Sequence, residues 1–459
     1  MADLLPTYDL ATDVGRDAFD ARLDQLRRSA TVTSGGAGDF HRIAAELIED
    51  TRKRGDAAIV EHMRRFTDPT FTADRMRIPP EVMAEADAAQ RAEQPDLSAA
   101  IDRAIAHVTE YQRHLVPADA EPMTIAGAEL GMRWTPISPA GLLVPGGSAT
   151  LFSTLIMLAV PAIAAGVKPD DITVVSPPPT IKGDAAGAGT PGDAKPDISP
   201  ITLAVAHRLG LSKVYRIGGP PAVAALALGT ETIDPVSLIA GPGHPVVQAA
   251  KLQMAGTVGI DGYYGASEIV TVADSTADPS RIAADLLAQA EHDPGKCFLV
   301  AWEPGVIDAI EAALAEQLPQ LNRIDAIKAG LANESCAVIC DSRNAAAELV
   351  DRLAAEHVNL AVADPKAFLA NVQHGGEFFL GDATPVAAGD YYAGPSHCLP
   401  TGTTARFTSG VSVYTFLKRS GVVGYPAGMP AQAIADIAAM ANAEGLDAHA
   451  ASVQQRHRG

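Results

Sequence analysis

The sequence predicts an α/β protein: two doubly wound, Rossmann-like domains, one split in sequence around the other, with helical N- and C-terminal arms. Three observations predict it. At 459 residues the chain is too long for one ordinary core. Short Val/Ile-rich runs alternate with helical patterns of about ten residues, as βαβ units and parallel sheets require. Two such series follow one another, and the earlier one sits inside the later one's helical flank.

In chain order, residues 1–35 are polar and end in Ser34-Gly-Gly-Ala-Gly38, an N-terminal arm. Residues 40–115 read as helices rich in Ala, Glu and Arg, with breaks at Gly55 and Pro79-Pro80. The inserted domain, 143–267, opens with Val144-Pro-Gly-Gly147 ahead of an apolar helix at 151–165. Its strands are Asp171–Val175, Lys213–Ile217 and Ser237–Ala240, the last two ending in Gly218-Gly219 and Gly241-Pro-Gly243. A Pro/Gly/Ala/Asp-rich stretch at 177–199 reads as a flexible surface insertion. The split domain, 36–142 plus 268–410, continues with strands at Glu268–Ala273, Cys297–Ala301, Ala337–Cys340, Val358–Val362 and Glu377–Leu380. Residues 411–459 leave the sheet as a polar helical tail.

Composition narrows the function. Thirty-five Lys and Arg against 55 Asp and Glu give a net charge of −20, which argues against nucleic acid or an anionic membrane as partner. Four cysteines at irregular spacing make no disulfide framework. The start of the chain has neither a basic n-region nor a long apolar run, and Leu151–Val167 is broken by Pro161, so a cytoplasmic enzyme is expected.

Several residues stand out chemically. Gln289 and His292 lie three apart near the end of a helical pattern stopped by Pro294-Gly295, and an amide oxygen with an imidazole suits zinc. The plain alternative is a surface histidine at a helix C-terminus. Glu356-His357 adjoin a strand as a candidate acid–base pair. Against that, neighbours along a strand face opposite ways, and surface ion pairs are common. Asp390 and His397 lie in a turn-rich polar segment, 389–407, where an oxygen ligand and a polar contact fit. The two glycine turns open helices whose N–H groups can hold an anion, although neither matches Gly-x-Gly-x-x-Gly.

These motifs, taken together and in order, resemble the L-histidinol dehydrogenase family over nearly the whole chain. The matching stretches are Gly141-Leu-Leu-Val-Pro-Gly-Gly147, Gly229-Thr-Glu-Thr-Ile233, Ala240-Gly-Pro-Gly243, the run 256–261 and the run 283–294. Glu356-His357, Gly389-Asp-Tyr391, His397–Thr401 and Ala443–His449 complete the set. The resemblance implies a zinc-dependent, NAD-linked oxidation of L-histidinol through L-histidinal to L-histidine. It implies Gln289, His292, Asp390 and His449 as zinc ligands, Glu356 and His357 as catalytic residues, and Ser267, His397 and Glu444 at the substrate. With Glu444 and His449 in the tail, it also implies a homodimer whose active sites are shared between chains. Three positions that the family uses for NAD are altered here, to Leu143, Pro221 and His244. A related dehydrogenase of another small amino- or sulfo-alcohol, and a catalytically silent binding protein, are the alternatives. A histidine base of ordinary pKa would make activity rise with pH through about 6.5.

Overall fold

The computed structural model describes residues 4–30, 38–146, 151–178, 197–292 and 295–457. Of the insertion expected at 177–199, residues 179–196 lie outside these, as do 147–150 and 293–294. The chain forms two compact units, one of residues 1–114 and 138–416, the other of 115–137 and 417–459.

Among the described residues fourteen strands form three sheets: β1 (Thr7–Asp9), β2 (Ala120–Ile125), β3 (Ala128–Pro136), β4 (Ala140–Leu143), β5 (Ile172–Val175), β6 (Lys213–Tyr215), β7 (Leu238–Ala240), β8 (Gly259–Ile260), β9 (Glu268–Ala273), β10 (Lys296–Ala301), β11 (Cys336–Ile339), β12 (His357–Ala361), β13 (Glu377–Leu380) and β14 (Leu417–Gly424). The first unit holds two parallel sheets, ordered β6-β5-β4-β7-β8 and β1-β11-β10-β9-β12-β13. The inner strands β4, β5, β9 and β10 are buried on both faces, which is why such strands read as continuous apolar runs.

The six-stranded sheet is doubly wound. One face buries Ile269, Leu299, Ala337 and Phe379 against helices Pro279–Ala290, Val306–Gln317 and Ile324–Glu334. The other buries Val270, Val300, Val338 and Leu360 against helices Asp13–Ala30 and Arg343–Leu353. Among the described residues no helix is long and apolar enough to cross a membrane.

Three boundaries differ from the sequence reading. Of the expected arm at 1–35, the described residues 4–30 join the core: β1 pairs in parallel with β11, and Phe19, Leu23 and Leu26 are buried on the sheet. A three-residue edge strand is too short to show a period, so only the helix was visible in sequence. The helices between 38 and 66, expected to accompany the six-stranded sheet, instead bury Ala44, Ile48, Ile59 and Met63 against Leu143, Tyr215 and Ile217 of the five-stranded one. The tail is not purely helical either, because β14 pairs antiparallel with β3, and β3 with β2, in a small sheet of the second unit. Seven of the eight β14 residues are at least partly exposed, so no alternation marked it as a strand. Helices Ala431–Ala443 and Asp447–Gln454 follow it and share the small cluster Ala438, Ala441 and Ala450.

Phe19 is wholly buried, beside Tyr8 and under the Arg352 guanidinium. Phe19→Ala should therefore cost about 3–5 kcal/mol, read as a lower midpoint in urea unfolding. A stability within 0.5 kcal/mol of the unsubstituted chain, roughly that of a neutral surface change, would show that residues 4–30 are a loose arm.

Candidate active site

The candidate site is built on the N-terminal edge of the six-stranded sheet. Strand β12 is a central strand with His357 as its first residue, in register with Ile269 of β9 and Glu377 of β13. Glu356 precedes the strand in a bend. The rule that neighbours face opposite ways therefore does not apply, and both side chains reach one cavity of about 280 Å³.

Both groups are buried, and all but one ring nitrogen of their buried polar atoms have partners. Glu356 Oε2 accepts from the Ser267 hydroxyl at 2.7 Å and from the Glu268 N–H at 2.9 Å. Ser267 Oγ in turn accepts from Gln289 Nε2 at 2.9 Å. His357 Nδ1 lies 3.3 Å from the Glu268 carbonyl oxygen. A carbonyl only accepts, so Nδ1 carries the proton and Nε2 is left with a free lone pair. Among the described residues Nε2 has no hydrogen-bond partner, and it lies 3.8 Å from Asp390 Oδ1.

Burial sets the protonation states. It pushes the His357 imidazole down to about 3, partly offset by the Glu268 carbonyl, so this histidine is neutral throughout the working range. The pH rise expected from a histidine of ordinary pKa therefore has no source in His357. Burial also pushes the Glu356 carboxyl well above the usual range, against the opposing hydrogen bonds from Ser267 and Glu268. Asp390 rises to about 6 for the same reason.

The other walls come from chain turns. Helix Pro279–Ala290 ends one residue after Gln289, so His292 stands just past the helix rather than in its last turn, and it lines the cavity. Gly295 makes this possible: a Cβ there would lie 2.0 Å from the Gln289 carbonyl oxygen. Asp390 closes helix Val386–Tyr391 next to the cavity, and its carbonyl accepts from His397 Nδ1 at 2.9 Å. His397 Nε2 is then the acceptor for the Thr154 hydroxyl at 3.0 Å. Thr154, Tyr264 and Tyr391 also line the cavity. None was singled out from the sequence, where Thr154 sits in an apolar helix and the tyrosines in turn-rich segments.

A second cleft of about 610 Å³ lies along the C-terminal ends of β4, β5, β6 and β7 in the five-stranded sheet. Strand order reverses between β4 and β7, the place where open α/β sheets hold ligands. Leu143 and His244 line it, and so does Pro220, whereas Pro221 is buried in helix Gly219–Leu228 and does not. The lining is largely apolar, with His62 and Phe66 facing the strand ends from helix Asp56–Phe66. Pro145 and Pro242 line both this cleft and the inner cavity.

Glu444 and His449 belong to the second unit and are exposed there. Among the described residues no group of three His, Cys, Asp or Glu side chains is close enough to hold a metal. The expected donor set includes an amide and a histidine of the second unit, so the first unit would bring only His292 and Asp390 of those four types. The chemistry of the expected set suits zinc nonetheless: with Gln289 Nε2 given to Ser267, its amide oxygen joins two imidazoles and a carboxylate, the N and O donors that zinc takes.

Comparison with known proteins places this architecture. The histidinol dehydrogenase family profile matches residues 33–457. A histidinol dehydrogenase of Rhodospirillum rubrum is 40% identical over 441 residues, covering 96% of this chain and 95% of that protein. One of Caulobacter vibrioides is also 40% identical, covering 96% of each chain. A crystal structure of histidinol dehydrogenase from Elizabethkingia anophelis superposes with a TM-score of 0.86 at 29% identity, covering 100% of this chain and 99% of that one.

Proposed function

The chain belongs to the histidinol dehydrogenase family, a family of NAD-dependent oxidoreductases, and on that premise we propose that it oxidises L-histidinol through L-histidinal to L-histidine. The observation that carries this reading is the free Nε2 lone pair of a neutral, buried His357 inside the cavity, beside Glu356.

When bound, NAD supplies the hydride acceptor, and zinc on Gln289, His292, Asp390 and His449 supplies an anchor that orients the alcohol. The protein's own part follows from its geometry. His357 Nε2 accepts the hydroxyl proton as the carbinol hydride leaves, with its ring held by the Nδ1–H to the Glu268 carbonyl. Glu356, aimed by Ser267 and Glu268, then takes a proton from water adding to the aldehyde carbon, while His357 returns its proton to the carbonyl oxygen and regains its free Nε2 lone pair. The hydrated aldehyde gives its hydroxyl proton to His357 as the second hydride leaves. Since burial raises the Glu356 pKa, its basic form, and with it the aldehyde step, is favoured as pH rises. His397, hydrogen-bonded between the Asp390 carbonyl and Thr154, together with Ser267, lines the substrate pocket.

NAD would occupy the cleft at β4–β7, held mainly by backbone N–H groups, because Leu143 offers no polar side chain and Pro221 does not reach it. His244, the remaining altered position, is a cleft residue whose Nδ1 accepts from the Val246 N–H at the start of helix Pro245–Met254.

The reaction is tested by electron count. One site performing both oxidations should release about two NADH per histidinol consumed, with little free aldehyde trapped. A ratio of one, or no NADH from histidinol, would overturn the assignment.

The reading also includes a homodimer in which Glu444 and His449 reach the partner's cavity, completing the substrate and zinc sites. His449→Asn should lose both zinc and activity, and Glu356→Gln should keep zinc while losing overall turnover to histidine. Co-expression of the two should restore about a quarter of all sites, because each random mixed dimer has one site with both lesions and one with none. Mixed dimers that form and recover nothing would mean that the tail serves its own chain.

A further inference from the structure

The turn after β7 is gripped by charges that the chemistry above does not use. Gly241 follows the strand with φ +124°, and a Cβ there would lie 2.3 Å from the Leu143 carbonyl oxygen. Its N–H donates to Asp261 Oδ2 at 2.6 Å. Its carbonyl accepts from Lys251 Nζ at 2.8 Å and from Gln248 Nε2 at 3.4 Å. Lys251 Nζ and Asp261 Oδ1 lie 2.7 Å apart, and both side chains are 0% exposed. The same lysine sits 4.8 Å from the centre of the Tyr264 ring, whose backbone N–H donates to Gln248 Oε1 at 3.2 Å.

Stability alone is a poor reason for this arrangement. A buried ion pair loses its hydration, and a packed apolar pair commonly holds a core as well or better. An apolar pair could not, however, satisfy both the N–H and the carbonyl of one buried glycine. What the knot holds is the residue before Pro242, which lines the outer cleft on one side and the inner cavity on the other. Gly243 and His244 continue into the cleft wall, while Tyr264, tied to the same knot, lines the cavity.

We propose that Lys251 and Asp261 are positioning residues for hydride transfer: they fix the Gly241-Pro242 turn at the junction of the two cavities, and so set the cofactor's distance from the substrate carbon. The proposal rests on the assignment of the cleft to NAD and the cavity to histidinol.

The test uses the full chain with three substitutions: Lys251→Met, Lys251→Met with Asp261→Asn, and Gln248→Met. The double variant avoids leaving one buried charge unpaired, and Gln248→Met removes a neutral contact to the same carbonyl. Hydrogen–deuterium exchange at residues 241–247 should speed up at least tenfold in the double variant, with β4 and β5 still protected. Its kcat should fall at least tenfold, as a misplacement of about 1 Å can cost a hundredfold. The Michaelis constants for NAD and histidinol should stay within about threefold, and the primary isotope effect with carbinol-deuterated histidinol should rise. Gln248→Met should shift the same quantities in the same direction by a smaller factor. Unchanged exchange at 241–247, a normal kcat, or a fall in activity that only tracks the folded fraction with an unchanged isotope effect would each overturn the proposal. If the unsubstituted enzyme makes no NADH from histidinol, the functional reading fails instead, and the exchange data identify that case because they need no turnover.

Discussion

The site depends on one constraint: an acid and an imidazole taken out of water at the end of a parallel strand must still find partners. Unpaired, each would cost several kcal/mol. The two groups are satisfied largely by one short segment of the neighbouring strand. Ser267 and the Glu268 N–H hold Glu356, and the Glu268 carbonyl holds His357. That accounting leaves His357 Nε2 as an orphaned buried acceptor in the cavity, where a substrate hydroxyl would complete it. The register of β9 against β12, in which His357 faces Ile269, brings the two segments together. The parallel sheet is therefore the device that sets the protonation state and aim of the Glu356–His357 pair.

The two sheets divide the work. The five-stranded sheet offers its C-terminal edge, with the glycine turns and strand-order reversal expected of a nucleotide cleft. The six-stranded sheet offers its N-terminal edge, where the strand ends of β9 and β12 meet the end of helix Pro279–Ala290. The cavities meet at Pro145 and Pro242. The departures at Leu143, Pro221 and His244 belong to the five-stranded sheet and its helices, whereas Ser267, His292, Glu356, His357, Asp390 and His397 line the cavity.

Much of this was legible in the sequence. Buried parallel strands are long enough apolar runs to read directly, and each expected run from 171 to 380 coincides with a strand within two residues at either end. Gln289, His292, Glu356, His357, Asp390 and His397 stood out as polar residues beside such runs; the structure gathers the last five around one cavity and bonds Gln289 to Ser267 in its wall. What escaped was what local pattern does not encode. Strand β1 has three residues, the face of β14 is exposed, and the helices between 38 and 66 could have covered either sheet. Thr154 and the Lys251–Asp261 pair carry no spacing signal, because their partners are as much as 243 residues away or belong to the backbone. Pro221 shows the limit of motif transfer: one position along a helix turns a cleft residue into a buried one.

The proposed mechanism divides the labour, with His357 serving both oxidations and Glu356 only the hydration of the aldehyde. A single-turnover measurement with histidinol and excess NAD, following NADH and trapping aldehyde, tests it most directly. Glu356→Gln should give a first NADH and stall with about one aldehyde per site, whereas His357→Asn should give neither NADH nor aldehyde at a comparable rate. Equal loss of the first NADH in both variants, or a first oxidation that survives without His357, would contradict the account.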